Sequence, residues 1–391
     1  MSKDIPDNLV RRTAFPHSVS RAVVTPLQPS VVYASPDPDT LDSQYDGTAF
    51  GYTYSREGHP NATVLAQKID AMEGCEGGLI TSTGMSAVTA VMLGLLQQGD
   101  HVIGGNQLYG RSLRMLTQEL PRYGITHSLA DPTDANAIEA AITPATQMIL
   151  VEVVSNPTLR VADMDGIAKI AKAHGLILVV DNTFTTPRAY RPFDIGADVV
   201  IHSITKLLSG HSDAMLGYVA AKAPEHREAI EGTIVTLGLS GSPYDAWMAE
   251  RGMMSFHLRY DRAEENAAIL ADHLADLGAK RVLYPGRPDH PDHNRAGALL
   301  GPRFGNMVSF EIEGGRAAAN AFTRAMPDMA FAPTLGDIGT TVSHAASSSH
   351  RGLTPEGRAE LGMSEGFFRV SVGVEDISLL KDEFAKGFAA L

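Results

Sequence analysis

The chain has 391 residues, 44% hydrophobic and 20% charged, a composition that carries a sizeable core and excludes a disordered chain. At about 150 residues per domain, that length predicts two domains plus an arm. Lysine and arginine number 32 against 45 aspartates and glutamates, so the net charge of −13 disfavours nucleic acid and anionic membrane as partners, and the single cysteine, Cys75, excludes a disulfide framework or a multi-cysteine metal site.

Residues 1–50 are rich in Pro, Ser and Asp and read as an extended arm that contacts a neighbouring subunit. Their first segment lacks the apolar core of a secretory signal, which predicts a cytoplasmic protein. The charge-free stretch from Gly77 to Gly99 has membrane length, but its hydroxyl residues and Gly84 predict a buried strand–turn–helix instead. Short apolar runs at Gly78–Thr83, His101–Gly104, Met148–Val154, Leu176–Val180, Asp198–His202 and Gly217–Ala221 read as strands. Helical spacing falls between them, at Ala62–Glu73, Met85–Gln97, Leu113–Tyr123, Ala135–Ala141 and Met164–Ala173. Near-continuous apolar strands separated by helices predict a mostly parallel, doubly wound α/β domain over residues 51–245. Residues 246–391 predict a smaller α+β domain, with one long broken helix over Trp247–Leu277, strands at Met307–Ile312 and Phe368–Val374, and a helix near Arg316–Ala325. The loop His290–Asn294 holds metal-ligand residue types but no third cluster, so no metal site is expected.

Two strand candidates end in polar residues: Asp181 follows Val180, and Ser203, Thr205 and Lys206 follow His202. Ligands of parallel α/β sheets bind outside the carboxyl ends of strands, so this acid and this lysine face one crevice. A lysine in a partly dry crevice has a lowered pKa and a free amine suited to Schiff-base chemistry. The acid can keep a ring nitrogen protonated, and the hydroxyls can donate to a phosphate. Gly84 and Met85 open a helix just after a strand, where backbone N–H groups and the helix dipole favour an anion. Phosphate, ring nitrogen and aldehyde together specify pyridoxal 5′-phosphate. A dinucleotide enzyme is the rival reading, and the chain lacks its glycine fingerprint.

From about Arg21 to Leu391 the sequence resembles the Cys/Met-metabolism (trans-sulfuration) family of fold-type I pyridoxal-phosphate enzymes. The segments that carry the resemblance are YSREGHPNATVLAQKIDAMEG, STGMSAVTAVMLGLLQQGDHVI, YGRSLRML, VEVVSNPTLRVADM, VVDNTFTTP, HSITKLLSGHSDAMLG and FFRVSVGVED. The resemblance implies that Lys206 holds the cofactor aldehyde and moves the Cα proton, and that Asp181 pairs with the pyridine nitrogen. It implies backbone amides of Gly84 and Met85 and hydroxyls of Ser203 and Thr205 at the phosphate, with Tyr54 and Arg56 reaching the phosphate of a neighbouring subunit. A homo-oligomer follows, a dimer with shared sites and by resemblance a tetramer. Tyr109 would stack on the ring and serve as acid or base, while Asn156, Arg369 and Thr340 would meet the amino-acid substrate.

The family likeness further implies γ-elimination or γ-replacement on a homoserine- or homocysteine-derived amino acid. The alternatives are β-elimination, a γ-lyase acting on a non-sulfur substrate such as canavanine, and a cofactor-binding structural or regulatory module. Departures from the family pattern gather at the distal pocket. Thr53 replaces an acid of cystathionine-handling members, Arg111 a cysteine of methionine γ-lyases, and Gly339 a frequent Glu. Arg111 and Arg114 would suit an anionic acyl tail, whereas Glu57 and Asp337 would suit a cationic distal group.

Overall fold

The computed structural model describes residues 16–391. Expectations for residues 1–15 of the arm lie outside the described residues. Two sheets organise the chain. Seven strands form the first: β1 (Leu79–Thr81), β2 (His101–Gly105), β3 (Thr126–Ala130), β4 (Thr146–Glu152), β5 (Ile177–Asp181), β6 (Val199–Ser203) and β7 (Gly217–Ala221). Their order is β1-β7-β6-β5-β4-β2-β3. The run from β6 to β3 is parallel, while β7 lies antiparallel to both β6 and β1. The sheet is therefore mostly parallel, as the sequence predicted, with β7 the one reversed strand.

Branched residues make the inner strands. Ile149, Val151, Val180 and Val200 pack against Ile167 of the helix Met164–His174 on one face; Met148, Leu150, Val179, Val199 and Ile201 pack against the helix Gly84–Leu95 on the other. Burial on both faces explains why these strands are continuously apolar rather than alternating.

The second sheet comprises β8 (Arg281–Leu283), β9 (Met307–Glu311), β10 (Ala330–Phe331), β11 (Thr341–His344) and β12 (Phe367–Ser371), ordered β10-β11-β12-β9-β8. Its pairs are antiparallel except β10 with β11. Phe310, Phe322, Phe368 and Phe384 fill the space beneath it, with Phe310 and Phe368 stacked at 5.5 Å between ring centroids. The expected long helix is two, Pro243–Met253 and Phe256–Asp276, separated at Met254–Ser255. Arg259, on the second helix, turns its guanidinium onto the carbonyls of Leu207, Leu208 and Gly252 at 2.9–3.0 Å. That buried cation fixes the loop just beyond Lys206.

Candidate active site

The carboxyl ends of β2, β4, β5 and β6 open into one cavity of about 900 Å³. Thr83, Gly84, Met85, Tyr109, Asn156, Asp181, Ser203, Thr205, Lys206 and Arg369 all line it. Sequence-distant motifs thus converge because parallel strands deliver their loops to the same edge of the sheet.

The anion-binding corner is built by close approach. The helix Gly84–Leu95 begins against β6, and its N-cap Thr83 accepts the Ser86 N–H at 2.9 Å. A Cβ on Gly84 would stand 2.7 Å from the Cβ of Ser203, so only glycine lets this helix terminus reach the strand end. The free amides at the start of that helix, together with the positive end of its dipole, suit an anion. The Thr205 hydroxyl is tied to Leu216, donating to its carbonyl at 3.2 Å and accepting its N–H at 3.0 Å.

On the sheet floor, Asp181 accepts two bonds from Thr183, from the N–H at 3.1 Å and the hydroxyl at 2.6 Å. Burial raises its pKa, while the Thr183 bonds and the nearby His202 oppose that rise. A protonated ring nitrogen would supply the missing countercharge. Lys206 donates from Nζ to the Thr334 hydroxyl at 3.3 Å. Burial lowers its pKa, and the Arg369 cation adds to the effect. Both push the amine toward the neutral nucleophile. Gly336 packs directly on this lysine: at φ +80° its Cβ would lie 3.0 Å from the Lys206 Cα.

Arg369 projects from the centre of the small sheet. It donates to Asn156 Oδ1 at 2.6 Å and to the Thr334 carbonyl at 2.7 Å, and its Nε has no partner. Burial pulls its pKa down to about 10. A buried guanidinium with neutral partners and a spare donor is a receptor for a carboxylate. Arg111, Arg114 and Arg351 line the same cavity at exposed positions, and Arg114 pairs with Glu119 at 3.1 Å.

Five expected positions lie elsewhere in the chain. Thr340 is buried away from the cavity, donating to Glu375 at 2.9 Å and accepting the Gly373 N–H at 2.9 Å, so its hydroxyl is already committed. Asp337 accepts from Ser212 and from the Gly339 N–H, outside the cavity lining. Tyr54, Arg56 and Glu57 stand on the outer surface, with the Arg56 guanidinium 5.0 Å from the Tyr54 ring centroid.

Sequence reasoning gave no role to several cavity residues, among them Glu152, Thr183, Thr334, His350 and Arg351. Glu152 ends β4 as Asp181 ends β5, and the strand-end rule applied to both would have found it. His350 is buried, its Nδ1 is 2.9 Å from the Ser349 hydroxyl, and burial beside Arg369 and Arg358 pulls its pKa down to about 4. Among the described residues no cluster of metal-ligand side chains exists, and no helix is long and apolar enough to cross a membrane.

These residues fit pyridoxal 5′-phosphate: the glycine-opened helix terminus for its phosphate, Asp181 for its nitrogen, Lys206 for its aldehyde. Comparison with known proteins agrees. Residues 8–389 match the model of the Cys/Met metabolism PLP-dependent enzymes. An L-methionine gamma-lyase of Pseudomonas putida is 38% identical, over 94% of this chain and 93% of its own. An O-succinylhomoserine sulfhydrylase of Pseudomonas aeruginosa is 37% identical, over 89% and 86%. The crystal structure of cystathionine gamma synthase from Xanthomonas oryzae pv. oryzae in complex with aminoacrylate and cysteine superimposes with a TM-score of 0.88 at 34% identity, covering 94% of this chain and 93% of that one. The lysine, the acid and the helix-end glycine thus sit in the crevice of an enzyme, and the chain belongs to the Cys/Met-metabolism family of pyridoxal-phosphate-dependent enzymes.

Proposed function

We propose that the protein catalyses γ-elimination or γ-replacement on a γ-substituted α-amino acid whose distal group is anionic. The observation that carries this reading is the sign of the charges at the cavity mouth. Arg111, Arg114 and Arg351 line the space that holds Lys206, whereas Glu57 and Asp337 do not. A cationic guanidino-oxy tail would meet three like charges there; an acyl carboxylate would meet three opposite ones.

Each step has a residue suited to it. Arg369, steadied by Asn156, takes the α-carboxylate and orients Cα toward Lys206. Bound pyridoxal phosphate supplies the electron sink for charge at Cα. Lys206, with its lowered pKa, takes the Cα proton and then a Cβ proton, whose electron pair expels the γ-substituent, and returns a proton later in the sequence. The Tyr109 phenol, also in the cavity, is placed to move a proton at the leaving group. Departure of the γ-substituent then leaves either 2-oxobutyrate and ammonia after hydrolysis, or a new thioether when a thiol adds.

The working unit is a dimer. Tyr54 and Arg56 sit on the surface away from their own cavity, as residues would that complete the phosphate site of a second copy.

The deciding experiment measures 2-oxobutyrate, pyruvate and thioether products with O-succinylhomoserine, O-acetylhomoserine, cystathionine, methionine, homocysteine and canavanine. The succinyl ester is expected to show the highest kcat/KM. Pyruvate as the product from β-substituted substrates alone, or a preference for canavanine, would overturn the reading.

A further inference from the structure

Glu152 is the cavity's second strand-end carboxylate. Its Cα pairs in register with that of Asp181 across β4 and β5, so both side chains leave the same face of the sheet and both line the cavity. Oε1 of Glu152 accepts the Tyr109 backbone N–H at 2.7 Å, and its buried Oε2 has no partner. The strand that carries Glu152 runs on, four residues later, to Asn156. One carboxyl group therefore adjoins the ring-nitrogen acid, the stacking tyrosine and the asparagine that steadies Arg369.

We propose that Glu152 is a positioning residue that keeps its proton, on Oε2, so that Asp181 alone carries negative charge beneath the cofactor ring while Oε1 anchors the Tyr109 loop. The inference rests on the cofactor site and holds whichever substrate the cavity mouth selects.

Two neighbouring carboxylates in a desolvated crevice do not both ionise. The hydrogen bonds decide which one does. Asp181 has two donors from Thr183 on one oxygen and His202 close by, all of which favour its anion. Glu152 has the Tyr109 N–H on Oε1 and an Oε2 with no partner, and the backbone at Asn156, which also favours its anion, does not outweigh burial, so the site is a costly place for an anion and a natural one for an O–H group. Burial and the Asp181 charge both drive the Glu152 pKa well upward. The cations of the cavity do not reverse this: Lys206 is bonded to Thr334, Arg369 to Asn156 and Thr334, and His350 is neutral above about pH 4. A second anion on the sheet floor would compete with Asp181 for the ring-nitrogen proton. It would also raise the proton affinity of the amine above it. A neutral acid does neither and still holds the loop.

Glu152→Gln tests this because an amide keeps the neutral charge, the acceptor for Tyr109 and a donor where the Oε2 proton stands. In cofactor-loaded protein, the pH midpoint of the visible absorbance change is expected to stay within about 0.3 of wild type. Removing a true anion at this range would lower that midpoint by about one unit or more, and such a drop would overturn the proposal. Difference infrared spectra of wild type against E152Q should show the band of a protonated carboxyl lost in the variant; a lost ionised-carboxylate band would refute it. Glu152→Ala keeps the charge but drops the anchor. It is expected to lower kcat roughly tenfold or more, the worth of a charge-independent anchoring bond of this class, with E152Q recovering most of the loss. If E152A fails to fold, the E152Q midpoint and infrared band still decide.

Discussion

The floor and the mouth of the cavity obey different electrostatics. On the floor, Arg369 is 4% exposed, and Lys206 and Asp181 have pKa values displaced by burial before anything else. Every charge there is expensive unless a partner arrives, and the proposed partners are the cofactor nitrogen, its aldehyde and a substrate carboxylate. At the mouth, Arg111, Arg114 and Arg351 are exposed to water. Charges in water cost little and contribute little. The floor is therefore built for one chemistry, and the mouth is free to change substrate without disturbing it.

The largest effect should come from the floor. Lys206→Ala would remove the proposed Schiff-base nitrogen and mobile base together, so turnover is expected to fall about 10⁴-fold, the upper range for positioned proton transfer. The visible absorbance of the cofactor-loaded protein should vanish with it. A variant that keeps both would show that another amine does the work and would separate the floor's charge pattern from its chemistry.

Acid should also strike the floor and its supports. His350, in the cavity wall, and His290, in the loop before the Arg160–Asp292 ion pair, are buried with pKa values pulled down to about 4. In the unfolded chain each titrates near 6.5, so below that pH the unfolded state binds the extra protons. Their contribution to stability is complete above pH 6.5 and is lost as pH falls from 6.5 toward 4. At about 1.4 kcal/mol per pH unit, the drop from 6.5 to about 4 puts roughly 3 kcal/mol at stake for each ring. Urea unfolding at pH 7, 6 and 5 measures it. His350→Asn should flatten the slope, and an unchanged slope would mean that this ring titrates normally.

The same contrast governs what sequence reveals. Asp181 and Lys206 are legible because each follows an apolar run that ends at the correct edge of a parallel sheet, and local pattern suffices. Their strands run Ile177–Asp181 and Val199–Ser203, within a residue or two of the apolar runs. The direction of β7 is not legible, since GYVAA is buried on both sides and reads alike in either orientation. Thr126–Ala130 is missed for the opposite reason: it is a half-buried edge strand with polar residues at three of five positions, and only Ala130 is in the core. The sequence reads Trp247–Leu277 as a partly broken helix, but the place of the break, Met254–Ser255, shows only in the fold. Thr340 looked like a substrate residue, yet Glu375, 35 positions away, takes its hydroxyl. Arg351 joins the mouth from a loop that follows β11, and no local spacing ties it to Arg111.

The smallest effect belongs to the mouth, and it sharpens the comparison most. Among the described residues Arg111 has no carboxylate within ion-pair distance, while Arg114 is paired with Glu119 at 3.1 Å. Losing Arg111 removes a free cation; losing Arg114 removes one already half-neutralised. Arg111→Ala should raise KM for O-succinylhomoserine about fivefold, roughly 1 kcal/mol, the top of the range for an exposed charge pair. Arg114→Ala should raise it less, about twofold. Neither should change kcat, because the floor is untouched, and neither should alter KM for the uncharged O-acetyl ester. Added salt should erase the difference between wild type and R111A, since exposed charges are screened over about 10 Å at 0.1 M ionic strength. Equal KM changes for the succinyl and acetyl esters would mean that Arg111 acts through packing. A fall in kcat would mean that mouth and floor are coupled, and the division between them would fail.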